Sequence, residues 1–211
     1  MTKTLLRKQY RDSRKHIAAT ARHDAAMQAA KNLLACPIFK SSTHISCYLP
    51  APEEFETTPI IEAIWHANKH CYLPVLNDPT TYQTRLTGFE YLSGISHDNA
   101  FCMDFVRYQD GDPLHSNKYK ILEPVNTQHK IAPNQLDLVI VPLLVFDLHG
   151  HRLGMGGGYY DRTFAFLHDV MVRKPFMLGL GFAIQQTEKI PSEEWDVKLD
   201  GVLTEKECII F

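Results

Sequence analysis

The sequence is poor in several features that would point to a common way of working. Its five cysteines, Cys36, Cys47, Cys71, Cys102 and Cys208, are odd in number, scattered, and never in a Cys-x-x-Cys pair, which argues for a reducing compartment. Cys47 and Cys71 fall inside strand-like runs and read as small buried hydrophobes. No apolar run approaches the roughly 20 residues of a membrane span. The amino terminus starts Met-Thr-Lys and continues with Arg7, Arg11 and Arg14, without an apolar signal core. A cytoplasmic chain is expected, with no membrane partner. The formal net charge is only −2, which gives no global reason to expect nucleic acid, so any anion site has to be local. There is no Gly-Lys-Ser/Thr ending of a P-loop, no Gly-x-Ser-x-Gly elbow and no cysteine set as a nucleophile. Covalent catalysis is therefore disfavoured. Repeats and low-complexity tracts are missing too.

What remains is an ordinary globular composition, 45% hydrophobic and 22% charged over 211 residues, enough for one α/β domain spanning residues 1–211. Residues 2 to 18 read as a basic helix with Leu5, Leu6, Tyr10 and Ile17 near helical spacing. A second helix is expected from a Thr20 cap to Leu34, ended by Pro37. Thr43 to Leu49 alternates as a strand, Thr58 and Pro59 open a helix to about Asn68, and Cys71 to Val75 resumes as a strand. That βαβ unit argues for parallel pairing. Residues 77 to 133 are turn-rich, with possible strands at Arg85–Tyr91 and Phe101–Phe105 read as a hairpin insertion. Further strands are expected at 137–142, 176–182, 202–204 and 208–211, and a helix from Tyr159 to about Val172. The fold class is α/β, a three-layer α/β/α domain with a mostly parallel sheet and helices on both faces.

The densest signal is the apolar run Asp137 to Phe146, followed by Arg152-Leu-Gly-Met-Gly-Gly-Gly-Tyr-Tyr-Asp-Arg162. Glycines let backbone N–H groups approach an anion without Cβ atoms in the way, and a helix that follows points its positive end there. A tight turn without a ligand gives the same pattern, and the loop alone leaves the two readings level.

Several side chains bear on that choice. Lys3, Arg7, Arg11 and Arg14 recur at spacings of four, four and three, a cationic stripe on a helix or simply a solvated face. Asp161, just past the glycines, is placed to hold Mg²⁺ against phosphates. It would equally stabilise a helix start by ~0.3–1 kcal/mol. A second carboxylate, Asp196 or Asp200, would favour the metal. Glu53, Glu54 and Glu56 follow the first strand, where open α/β sheets bind ligands, and are also common loop and cap residues. His149 and His151 lack a third ligand at zinc spacing.

The chain resembles the 5-formyltetrahydrofolate cyclo-ligases, also called 5,10-methenyltetrahydrofolate synthetases. The likeness runs through Lys3-Thr-Leu-Leu-Arg7, Tyr48-Leu-Pro with Glu54-Phe-Glu-Thr57, Asp137-Leu-Val-Ile-Val-Pro142, the segment from Phe146 to Asp161, and Ile190-Pro with Asp196-Val-Lys-Leu-Asp200. It implies ATP-dependent closure of 5-formyltetrahydrofolate to 5,10-methenyltetrahydrofolate with release of ADP and phosphate. It implies small-molecule partners, ATP and Mg²⁺, and a monomer is the expectation. By the same resemblance, Lys3, Arg7, Arg152, Leu153, Gly154, Met155, Gly156, Gly157, Gly158, Tyr159 and Tyr160 hold ATP. Leu49, Glu54, Met155, Gly156, Gly157, Gly158 and Tyr159 border the folate, and Asp161 and Asp196 approach Mg²⁺. No protein nucleophile is implied, and Arg152 and Tyr160 are the candidates for charge stabilisation.

Many members of that family carry Arg and Lys in the loop, as Arg-Leu-Gly-Arg-Gly-Lys-Gly, where this chain has Met155 and Gly157; a Met-Gly-Gly-Gly form also occurs. Arg7, Arg11 or Arg152 is expected to supply the compensating charge. Two other functions fit such a sheet: a folate- or nucleotide-binding module without turnover, and a protein handling phosphosugars or acyl-CoA.

Overall fold

The protein is described from a computed structural model, which covers residues 1–77, 103–117, 120–169, 171–172 and 174–211. The expected strand at Arg85–Tyr91 lies outside the described residues.

The chain begins with α1 (Lys3–Lys15), α2 (Ala19–Ala35), α3 (Pro37–Ser41), β1 (His44–Ser46), α4 (Thr58–His66) and β2 (His70–Leu76). It continues with β3 (Met103–Tyr108), β4 (Leu114–Ser116), β5 (Leu122–Pro124) and β6 (Lys130–Ile131). The last part holds β7 (Leu138–Pro142), β8 (Val145–Phe146), β9 (Arg152–Leu153), α5 (Tyr159–Thr163), β10 (Phe176–Leu180), β11 (Gly201–Leu203) and β12 (Cys208–Ile210). One sheet has the order β12-β11-β10-β7-β1-β2-β3-β6. Its centre, from β11 to β2, is parallel; β12 and β3 run antiparallel to it at the edges, and β6 pairs antiparallel with β3. The βαβ unit pairs as expected, with His44 opposite His70.

Why the centre is parallel follows from its side chains. Along β7, Leu138 and Ile140 point into one apolar cluster with α2 and α4, while Val139 and Val141 point into the other. A strand buried on both faces reads as a continuous apolar run, which is the parallel-sheet pattern. On the first face α2 presents Ala25, Ala26, Ala29, Ala30 and Leu33, all buried, and small alanine side chains let it lie close. On the second face the cover is thinner: Phe164, Val197 and Leu199 come from α5 and from loops.

Several boundaries differ from expectation. The helix opened by Tyr159 stops at Thr163 and passes into a 3₁₀ turn, Ala165–His168, instead of running to Val172; fully buried Phe164 turns onto the sheet at that point. Pro37 starts α3 rather than only ending α2, because proline suits a first helical turn. The cap of α2 is Ala18, not Thr20, and that of α4 is Thr57, not Thr58. The Thr57 hydroxyl instead donates to the Tyr48 carbonyl, 2.6 Å away. The first strand ends at Ser46, so Tyr48 and Leu49 leave the sheet. Of the strand expected at 101–105, residues 101 and 102 lie outside the described residues; β3 spans Met103–Tyr108, past the expected end, and pairs antiparallel with β2. Among the described residues, no helix is long and apolar enough to cross a membrane.

The strand order sets where a ligand can enter. From β1 the chain moves outward through β2 and β3, then returns to β7 on the other side of β1 and moves outward again. The switch between β1 and β7 opens a crevice at their carboxyl ends, where open α/β sheets bind ligands.

Candidate active site

A cavity of about 900 Å³ opens at that crevice. Tyr48 and Leu49 leave β1 into its wall, Pro142 closes the end of β7, and Leu73, Pro74 and Leu76 of β2 add an apolar side. Helix α1, the glycine loop and Glu54 complete it.

Helix α1 starts at Thr2, whose hydroxyl accepts from the Leu5 N–H at 3.3 Å. Leu6 and Tyr10 pack into a small cluster with Leu144, Val145, Leu153 and Ile190, and the Tyr10 hydroxyl donates to the Gln186 carbonyl at 3.0 Å. Leu5 is half exposed instead of packed. The basic stripe divides: Lys3, Arg7 and Arg14 line the cavity and Arg11 does not. At about 100° per residue the first three fall within about 40° of one another, whereas Arg11 lies about 80° from Lys3. Arg11 reaches the Met155 sulfur instead, at 3.9 Å.

The glycine loop is anchored from behind. Asp147 is fully buried and accepts from the N–H groups of His149, His151 and Ile190 and from the His151 ring, at 2.9–3.1 Å. Burial raises its carboxyl, but these donors outweigh it and bring it below its usual range. His149 and His151 therefore shape the turn that precedes the loop. Gly150 sits at φ +82°, with the Leu199 carbonyl 2.7 Å from where a Cβ would stand, so only glycine fits.

Around the loop itself the cations are already engaged. Arg7 Nε donates to the Gly154 carbonyl at 2.9 Å, and its guanidinium lies 3.7 Å from the Cβ position of Gly156, which has φ +101°. Arg162 donates to the Gly157 carbonyl at 2.5 Å and stands over the Tyr159 ring at 5.6 Å. Arg152 turns inward, to the Val197 carbonyl and to Asp161 Oδ1 at 2.8 Å. Of the cations expected to replace those missing at Met155 and Gly157, Arg7 lies against the loop and Arg11 touches Met155, while Arg152 serves Asp161. Arg162 was not anticipated, although it closes the sequence motif. Helix α5 is a single short turn, so the cationic side chains near the glycine loop, more than a helix end, set the charge of this wall.

The two expected carboxylates meet here. Asp161 Oδ1 accepts from the Val197 N–H at 3.1 Å, one residue beyond Asp196. Asp196 Oδ2 accepts from Lys3 at 2.9 Å and from the Glu193 N–H at 2.9 Å. Burial raises the Asp196 carboxyl, and these partners more than reverse it. Asp200 faces elsewhere, accepting from the Met177 N–H at 2.7 Å, and it is Asp196 that joins Asp161 at the cavity.

At the far end, Glu54 Oε2 accepts from the Ala51 N–H at 3.0 Å. Burial raises its carboxyl, opposed by that N–H and by Arg14. Glu53 is exposed at φ +69°, and Glu56 lies 3.3 Å from His23, so of the three acidic residues only Glu54 lines the cavity. Tyr160 lines it too, its hydroxyl pushed well up by burial, with its ring stacked on Phe164 at 6.3 Å. Buried Cys47 is pushed up to about 12, no setting for a nucleophile. The sequence reading also missed Arg14, Glu123 and Trp195 among the lining residues. Only Arg14 had a signal, its place in the basic stripe.

Fold and cavity together define a doubly wound α/β protein with an anion-suited loop at one end of its crevice and a partly buried carboxylate at the other. Residues 1–205 match the model of the 5-formyltetrahydrofolate cyclo-ligase family, and the chain belongs to that family, which makes it a ligase. It is 33% identical over 199 residues to the 5-formyltetrahydrofolate cyclo-ligase of Haemophilus influenzae, covering 94% of this chain and 95% of the relative. The mouse 5-formyltetrahydrofolate cyclo-ligase is 28% identical, covering 95% of this chain and 92% of the relative. The NMR structure of Aquifex aeolicus 5,10-methenyltetrahydrofolate synthetase superposes with a TM-score of 0.75 at 27% identity, covering 100% of this chain and 93% of that one.

Proposed function

We propose that the protein couples ATP hydrolysis to cyclisation of 5-formyltetrahydrofolate into 5,10-methenyltetrahydrofolate. The observation that carries this reading is a cavity with two chemically different ends, cations and a glycine loop at one and Glu54 beside apolar walls at the other.

In this reading the triphosphate lies along the glycine loop under Arg7 and Arg162, and the pteridine sits against Glu54. The formyl oxygen attacks the γ-phosphorus, the bond to the ADP oxygen breaks, and ADP leaves. N10 then attacks the formyl carbon, the carbon–oxygen bond to phosphate breaks, and N10 gives up its proton. No protein bond is made, so the chain contributes orientation and charge stabilisation. In this pose the Arg7 guanidinium, held against the loop by the Gly154 carbonyl, would meet the charge that develops on the transferring phosphoryl group.

The donor set fits Mg²⁺. Asp161 Oδ2 and Asp196 Oδ1 take no hydrogen bond among the described residues, leaving one oxygen from each carboxylate, and Mg²⁺ favours one or two carboxylates with phosphate oxygens and water. Bound there, the ion would neutralise phosphate charge. Lys3 and Arg152, which hold these carboxylates in place, would keep the remaining oxygens turned toward it.

Mixing the purified protein with ATP, Mg²⁺ and 5-formyltetrahydrofolate is expected to produce the methenyl chromophore with one ADP per turnover. Folate binding without ADP release would instead indicate a binding module, and absence of folate binding would sink the reading.

A further inference from the structure

Among the described residues, Arg14 is the most enclosed cation whose guanidinium takes no hydrogen bond or salt bridge; Arg11 and Arg162, whose Nε atoms are also buried without an acceptor, are engaged through their other nitrogens. Arg14 is 3% exposed, it lines the cavity, and its buried Nε has no acceptor among the described residues. Its backbone carbonyl is taken by Arg22, but no salt bridge holds its guanidinium among the described residues. Burial pulls it below its usual range, and Glu54, then Tyr48 and Glu53, oppose that. A buried donor left unmade is expensive, so such a group marks a place where a ligand acceptor belongs.

Position along α1 says which ligand. At 1.5 Å per residue, Arg14 lies about 10 Å past Arg7 and about 16 Å past Lys3. Lys3 meets Asp196 and Arg7 meets the glycine loop, so the third cation of the row falls at the Glu54 end, beside Tyr48 and Leu49. There a carboxylate and a guanidinium share one wall without pairing with each other. A 2-amino-4-oxopteridine presents the complementary edge: two adjacent N–H donors, then a carbonyl acceptor. The carboxylate suits the donors and the guanidinium suits the carbonyl.

We propose that Arg14 is a specificity-determining binding residue that donates to the 4-oxo oxygen of the pteridine while Glu54 accepts from its amino edge. This rests on the folate reading above. It makes the Arg14–Glu54 pair a filter that admits 4-oxo and rejects 4-amino pteridines, because an amino group would turn its hydrogens toward the guanidinium.

The test is equilibrium binding of 5-formyltetrahydrofolate, of its 4-amino analogue and of ATP to the wild type, Arg14→Gln and Arg14→Lys. Arg14→Gln is expected to weaken 5-formyltetrahydrofolate by about 10- to 100-fold, leave ATP affinity within about twofold, and erase the preference over the 4-amino analogue. Arg14→Lys keeps the charge without the planar fork and retains part of the preference. The melting temperature of ligand-free Arg14→Gln should hold or rise, since an unpaired buried charge is gone. A merely structural arginine would lower it. Equal weakening of folate and ATP, or a preference that survives Arg14→Gln, overturns the proposal, and Arg14→Lys decides alone if Arg14→Gln does not fold. A wild type that turns over while its Arg14→Gln variant keeps the preference sinks Arg14 and leaves the cyclo-ligase reading standing; a wild type that binds folate without turnover does the reverse.

Discussion

At the glycine-loop end of the cavity every cation named already has a protein partner: Lys3 with Asp196, Arg7 with the Gly154 carbonyl, Arg152 with Asp161 and Arg162 with the Gly157 carbonyl. At the Glu54 end the polar side chains are less satisfied, with Glu54 held by one N–H and the Arg14 guanidinium by no hydrogen bond or salt bridge among the described residues. The first arrangement spreads recognition over many groups that are fixed in place beforehand. The second concentrates it in two side chains whose burial is repaid only by a ligand of the right pattern. Losses should accordingly be shared at one end and sharp at the other.

Three substitutions bear on that contrast, beginning with the one of greatest expected consequence. Glu54→Gln removes the carboxylate while keeping its shape, and is expected to raise the folate KM by about 10- to 100-fold with little change for ATP. If both constants move together, the two ends are not chemically separate. Asp161→Asn should weaken ATP use by about tenfold and raise the Mg²⁺ concentration needed for half-maximal turnover, with folate affinity unchanged. An unaltered Mg²⁺ titration would remove Asp161 from the metal site. The smallest effect is a gain: Met155 is 57% exposed, and Met155→Arg adds a screened cation to a loop already served by Arg7 and Arg162. A fall in ATP KM of about two- to fivefold is expected, and a gain of several tens of fold would mean that those arginines do not carry the load assigned to them.

Much of this was legible in the sequence where the controlling forces are local. The β7 run and its alternation into two apolar clusters, the β1-α4-β2 unit and the glycine loop all follow from short stretches of residues. Long-range packing decided the rest. The helix after the loop is cut short because Phe164 is drawn into the core, which nothing between Tyr159 and Val172 announces. Spacing put Arg14 in a stripe with Arg11, but only the tertiary fold buries Arg14 in the cavity wall and keeps Arg11 out of it. Likewise Arg152 and Arg162 flank the same motif, and it is the pairing of Arg152 with Asp161 and Val197 that leaves Arg162 to reach Gly157.

The same helix carries Lys3, Arg7 and Arg14 to successive stations along the cavity, so their placement has a single degree of freedom. A slip of one residue would turn α1 by about 100° and swing all three side chains away together. The Thr2 cap, the seating of Leu6 and Tyr10 among Leu144, Val145, Leu153 and Ile190, and the Tyr10 hydroxyl on Gln186 act as an index pin against that turn. Residues that touch neither ligand thus set the phase in which both are met.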